Sequence, residues 1–126
     1  MALESWHLMT SPGEKAPGSL IAEFRIGEDS LWFAGHFPDE PILPGVAILS
    51  MVAEMIRHFE GNPQRKPRIT GLRRVRFRLP VKPHDTVSME LTCEKADRVT
   101  SYRFQACVKE EIACTGVVLC EQADVG

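Results

Sequence analysis

Apolar and polar side chains alternate through most of the second half of the chain. Val75, Phe77 and Leu79 alternate with Arg74, Arg76 and Arg78, and Val87, Met89, Leu91 and Cys93 alternate with Ser88, Glu90, Thr92 and Glu94. Tyr102, Phe104, Ala106 and Val108 then alternate with Arg103, Gln105 and Cys107, and residues 112–120 read as a last strand. Successive strand side chains point to opposite faces, so a period of two predicts antiparallel strands with one face on a core. Residues 80–85 and 95–98 are the loops between them. A final turn at Glu110-Glu111 would set Cys107 opposite Cys114.

Residues 45–59 predict the one substantial helix. Pro44 stands at its entrance, a favoured place for proline, and Gly61-Asn62-Pro63 ends it. Val46, Ala47, Ile48, Leu49, Met51, Val52, Ala53, Met55 and Ile56 wrap most of its circumference, the pattern of a buried helix. Ser50, Glu54, Arg57 and His58 fall on one stripe. Upstream, residues 20–26 read as a strand, 27–30 as a turn and 31–33 as a short apolar run. Residues 11–18, rich in Pro, Gly and Ser, read as a loop. The simplest packing wraps the antiparallel sheet around the helix. It makes residues 1–126 one α+β domain with a loop-rich first 18 residues.

Composition changes this picture little. The 126 residues suit one domain large enough to fold without metal or disulfide staples. Apolar residues are 44%, charged residues 25% and the formal net charge is −2, so nothing suggests wholesale attraction to nucleic acid. No stretch approaches the ~20 apolar residues of a membrane span. Residues 1–10 lack a signal-peptide layout, so a cytoplasmic location is the expectation. Cys93, Cys107, Cys114 and Cys120 form no CxxC pair and no zinc spacing. They read as small, reduced core residues, and neither a metal nor a cofactor is expected.

The run Gly-His-Phe-Pro-Asp-Glu-Pro-Ile-Leu-Pro-Gly-Val-Ala-Ile-Leu, residues 35–49, resembles the signature of the FabZ-type 3-hydroxyacyl-[acyl-carrier-protein] dehydratases. In that family such a loop leads into the central helix. Residues 75–85 are similar to a family strand that ends in a proline-bearing turn. The hairpin around Ala113-Cys114-Thr115-Gly116 is similar too, so the likeness covers roughly residues 19–121. It implies a hotdog fold and a homodimer, or a higher multiple of dimers, with sites at the subunit interface. It implies an acyl tunnel beside the helix and a thioester substrate on acyl carrier protein or coenzyme A. Within the matched loop, Phe37, Pro44 and Val46 are implied substrate contacts.

Dehydration removes a proton beside the thioester carbonyl and expels hydroxide as water, so it needs a base, an acid and an oxyanion donor. His36 is the expected base, since an imidazole titrates near neutral pH. The first helical N–H groups are unpaired and carry partial positive charge, and Gly45 lets a substrate approach. By resemblance the Gly45 amide contacts the carbonyl. The family's second catalytic residue, a carboxylate five positions after this glycine, is replaced here by Ser50. A hydroxyl is a poor acid at neutral pH. Glu54, one turn on, leans back toward Ser50 and is the candidate replacement, although it could instead pair with Arg57 or His58. Arg74, Arg76, Arg78 and Lys82 form a basic stretch that suits docking of an acidic carrier protein. Two alternatives to a dehydratase stand: a hotdog acyl-thioesterase, and a catalytically weak subunit that binds acyl chains or partners another hotdog chain.

Overall fold

The computed structural model describes residues 7–10, 12–26, 45–60, 68–82 and 84–121. Its elements run β1 (His7–Met9), β2 (Gly13–Ala16), β3 (Ser19–Ile26), α1 (Gly45–Phe59), β4 (Ile69–Phe77), β5 (Thr86–Ala96), β6 (Val99–Val108) and β7 (Glu111–Glu121). The strands form one antiparallel sheet in the order β1-β3-β5-β6-β7-β4, with β2 also beside β3. One face of the sheet packs on α1, which is the hotdog fold.

The core is the meeting of that face with one side of the helix. Phe24, Val87, Met89, Leu91, Tyr102, Phe104, Ala106 and Val118 come from the sheet. Ala47, Ile48, Met51, Val52, Met55 and Ile56 come from α1. Burying each large apolar side chain contributes roughly 1.5–3 kcal/mol, so this interface dominates stability. The helix is not buried all round, contrary to the expectation from its composition. Val46 and Ser50 are exposed and Ala53, Glu54 and Arg57 are only half-buried. The physical reason is that a single sheet covers a single side, and no described residue covers the other.

Three local readings also need correction. Residues 11–18 are not simply a loop. Gly13 pairs with Ile21 and Ala16 with Ser19 around a Pro17-Gly18 turn, while β1 pairs with the other half of β3. The four residues of β2 are all exposed, so no alternation betrayed the strand. The β6–β7 turn is Lys109-Glu110, one residue earlier than expected. Both residues have positive φ, 52° and 68°, the conformation that tight two-residue hairpins need. A bulge then sets Ala106 against Cys114 and Cys107 against Ile112, so Cys107 and Cys114 do not face each other.

The third correction concerns β4. Arg73 pairs with Val117 and Arg76 with Thr115, with the register slipping between them. This one-residue bulge turns Arg73 and Arg76 to the same outer face. The simple alternation of Arg74, Arg76 and Arg78 is therefore broken at Arg74, whose φ of 53° is left-handed. Val75 stays inside, its Cγ2 2.9 Å from where a Cβ on Gly116 would stand.

Candidate active site

The amino end of α1 rests on the carboxyl end of β4. A Cβ added to Gly45 would lie 2.5 Å from Cζ and 2.8 Å from Cε1 of Phe77. Real Cβ atoms do not approach so closely, so a side chain here would force the Phe77 ring to move. The sequence reading placed Phe77 in the core alternation and missed this role. The signal was available only in part: an aromatic ring ends the basic strand. The first turn of α1 carries no acidic residue, while Arg57 and His58 occupy its last turn. Within that first turn, therefore, no side chain compensates the positive end of the helix dipole.

From Gly45 the stripe that the sheet leaves uncovered runs through Val46 and Ser50 to Glu54. Val46 is 57% exposed, Ser50 is exposed and Glu54 is half-buried. Ser50 and Glu54 stand about 6 Å apart along the axis, on one face. His36, Phe37 and Pro44 lie outside the described residues. The structure therefore brings Val46, Ser50 and Glu54 onto one helix stripe, with Gly45 at the amino end of the same helix.

The loop after β4 closes this end of the molecule. Both Arg78 and Leu79 donate their N–H groups to the Ala113 carbonyl, at 2.7 and 3.2 Å. The Lys82 N–H donates to Asp85 Oδ2 at 2.8 Å. The His84 N–H donates to the Ile26 carbonyl at 3.0 Å, and the Ile26 N–H donates to the Asp85 carbonyl at 3.2 Å. These bonds tie the loop to the end of β3, from which residues 27–44 depart. Arg74, Arg76, Arg78 and Lys82 are all exposed. Arg76, paired with Thr115, turns to the outer face of the sheet as Arg74 does, while Arg78 and Lys82 follow Phe77 in the loop.

At the opposite end of the helix, the Tyr102 hydroxyl donates to Glu60 Oε2 at 2.9 Å, and Phe59 meets the Tyr102 ring edge-on. Burial and the Glu60 carboxylate drive the phenol well above its ordinary range. Burial also pushes the Cys114 and Cys120 thiols up to about 11. These thiols stay protonated at neutral pH, so they are packing groups and not nucleophiles. No cluster of metal-ligating side chains occurs among the described residues, and none of the described helices is long and apolar enough to cross a membrane.

A sheet wrapped on one helix, with a side-chain-free helix entrance held against an aromatic ring, defines a hotdog protein of the thioester-processing class. Residues 13–117 match the family model of the ApeI-like dehydratases. The FabZ 3-hydroxyacyl-[acyl-carrier-protein] dehydratase of Klebsiella pneumoniae is 35% identical over 111 residues, which are 82% of this chain and 74% of that protein. Among solved structures, the dehydratase heterocomplex ApeI:P from Xenorhabdus doucetiae superposes with a TM-score of 0.71 at 22% identity, covering 91% of this chain and 98% of the other. A hypothetical thioesterase protein with coenzyme A from Streptococcus pneumoniae superposes with a TM-score of 0.70 at 7% identity, covering 94% and 89%. The last two likenesses speak for the fold. The first two place the chain: it belongs to the FabZ-like, ApeI-type dehydratase family.

Proposed function

We propose that this protein is a hydro-lyase converting 3-hydroxyacyl thioesters to 2-enoyl thioesters in fatty-acid-related biosynthesis. A proton leaves the carbon next to the carbonyl, the carbon–oxygen bond at position 3 breaks, and hydroxide departs with a proton as water. His36 takes the first proton. The Gly45 N–H, at the amino end of α1, holds the carbonyl oxygen as it becomes negative. Phe37, Pro44 and Val46 border the acyl chain. Glu54, or a water held by Ser50, delivers the proton to the leaving hydroxyl. The observation that carries the reading is the sealing of Gly45 against Phe77, with Ser50 and Glu54 following on the same uncovered stripe, in a chain of this family.

The substrate carrier is acyl carrier protein. Arg78 and Lys82 in the loop after β4 favour approach of an acidic partner, as do Arg74 and Arg76 on the outer face of the same strand. The chain works as a homodimer or a multiple of dimers. Its edge strand β4 and the helix entrance leave Val46, Phe77, Leu72 and Ile69 between 44% and 57% exposed, which a second subunit would cover. A thioesterase differs in product: water would attack the carbonyl and free thiol would leave.

A second reading is favoured by one residue. Ser50 stands where the family carries its carboxylate, and a family likeness in the solved structures is a heterocomplex. In that reading this chain is a catalytically weak subunit paired with another hotdog chain.

Assay with 3-hydroxyacyl and 2-enoyl carrier-protein thioesters separates these readings. Reversible hydration supports the dehydratase, free thiol release supports a thioesterase, and neither with retained acyl binding supports the partner subunit. His36→Ala should lower turnover by roughly two to four orders of magnitude. Ser50→Glu should raise it if the helix stripe faces substrate; no gain in a folded variant sinks that alignment.

A further inference from the structure

The face of the sheet turned away from α1 carries a hollow of about 320 Å³ that the dehydratase chemistry does not use. Its walls are cross-strand ladders. Thr92 pairs with Arg103 and Arg103 with Val117; one row along, Glu90 pairs with Gln105 and Gln105 with Thr115. Arg74 reaches the same hollow from the β4 bulge. Directly opposed residues share a face, so Arg103, Gln105, Thr92 and Thr115 all present polar groups to one space.

Two features make this more than a solvated strand face. Among the described residues neither the Arg74 nor the Arg103 guanidinium has a hydrogen bond or ion pair, although a carboxylate, Glu90, stands in the same wall. That carboxylate is held elsewhere, by Lys15 Nζ at 2.6 Å. The second feature is the backbone at Arg74. The first residue of such a bulge favours glycine when its φ is positive, and here it is an arginine at 53°. The strained position delivers a guanidinium to the rim of the hollow.

We propose that this hollow binds a phosphate-class oxyanion, gripped between the Arg74 and Arg103 guanidinium groups and completed by the Gln105 amide and the Thr92 and Thr115 hydroxyls. Guanidinium forks match two oxygens of a tetrahedral anion at once, which an ammonium cannot do. The hollow exceeds a bare phosphate, and Val117 adds apolar lining for the body of a phosphate monoester. The site lies across the sheet from α1, so it is independent of the proposed active site.

The test is thermal unfolding of the full chain titrated with inorganic phosphate, 4′-phosphopantetheine and phosphate-free pantetheine, all at constant ionic strength. A ligand of the folded state raises Tm saturably by mass action. Phosphate should do so in the wild type. Arg103→Gln and Arg74→Gln should each weaken the apparent affinity about tenfold or more, equivalent to about 1.4 kcal/mol, and Arg103→Lys should recover only part. Pantetheine should give no shift that depends on Arg103. Tighter binding of phosphopantetheine than phosphate identifies an ester as the ligand, and equal binding identifies free phosphate. A wild type with no saturable shift overturns the proposal, as does a shift the same in wild type and both glutamine variants. Arg68→Gln, distant and exposed, controls for general loss of positive charge.

Discussion

The β5–β7 meander and the β4 edge are built from similar alternating sequence, yet only the meander obeys the alternation. Val87, Met89 and Leu91 of β5 and Thr100, Tyr102, Phe104 and Ala106 of β6 are buried in alternation, and the register runs from Val87 against Val108 to Ala96 against Val99 without a slip. In β4 no residue is fully buried, the register slips twice, and Phe77 and Leu72 are half exposed. The meander is satisfied by its own neighbours and serves stability. Among the described residues the edge strand is incompletely satisfied, and it is where helix entrance, basic residues and bulge come together. Strain and exposed apolar surface concentrate where a protein meets something else.

The largest expected effect tests the meander. Phe104→Ala removes a ring that is 1% exposed and packed beside Gly116 and should cost about 3–5 kcal/mol in urea unfolding. Phe77→Ala, the same chemical change on the edge, should cost much less stability but impair turnover. Equal stability losses would erase the distinction between the two regions.

The helix entrance sharpens it next. Gly45→Ala puts a methyl into the Phe77 ring and should destabilise by about 1–3 kcal/mol, as overpacking does. Phe77→Leu shortens the obstacle and should recover much of this, so the pair should be non-additive in a double-mutant cycle. Strict additivity would mean the close approach does not constrain the helix.

A pH titration probes the meander alone. The buried Cys114 and Cys120 thiols have folded values near 11, above the ordinary 9.0. Because the folded value is raised, their contribution is complete below pH 9 and is lost as pH climbs toward 11. The loss should reach roughly 1 kcal/mol per thiol by pH 10. Tyr102 is shifted in the same direction and adds to the fall at higher pH still. Cys114→Ala should flatten the alkaline limb between pH 9 and 11; an unchanged limb would show that the thiols do not set it.

The same contrast explains what could be read in advance. The bounds of α1, residues 45 to 59, were legible because Pro44-Gly45 and the 61–63 stop bracket a continuous apolar pattern. β5 to β7 were legible because burial and alternation agree. The strands β1 and β2 were not, since they lie on the outer edge of β3 and β2 buries nothing. The β4 bulge was hidden because Arg73-Arg74-Val75 fits a plain strand equally well until its pairing with β7 is known. The stripe of Ser50, Glu54, Arg57 and His58 followed from helical spacing alone, whereas the exposure of Val46 did not. The contact of Gly45 with Phe77 spans 32 residues of sequence and no local pattern encodes it.

The smallest effect on folding is expected at Leu72, and it bears most directly on what the edge is for. Leu72 pairs with Val118 and is 47% exposed, so Leu72→Lys leaves no cavity in this chain and should change its unfolding free energy by no more than about 0.5 kcal/mol. A lysine on an exposed edge is a standard barrier to strand addition, because pairing would bury its charge. If β4 is the seam between subunits, the variant should shift the protein toward monomer in analytical ultracentrifugation while leaving secondary structure intact. Turnover should fall with it, since the site is proposed to need both subunits. A dimer that tolerates lysine at 72 would move the seam away from β4, and the exposed Phe77 and Val46 would then need a different cover.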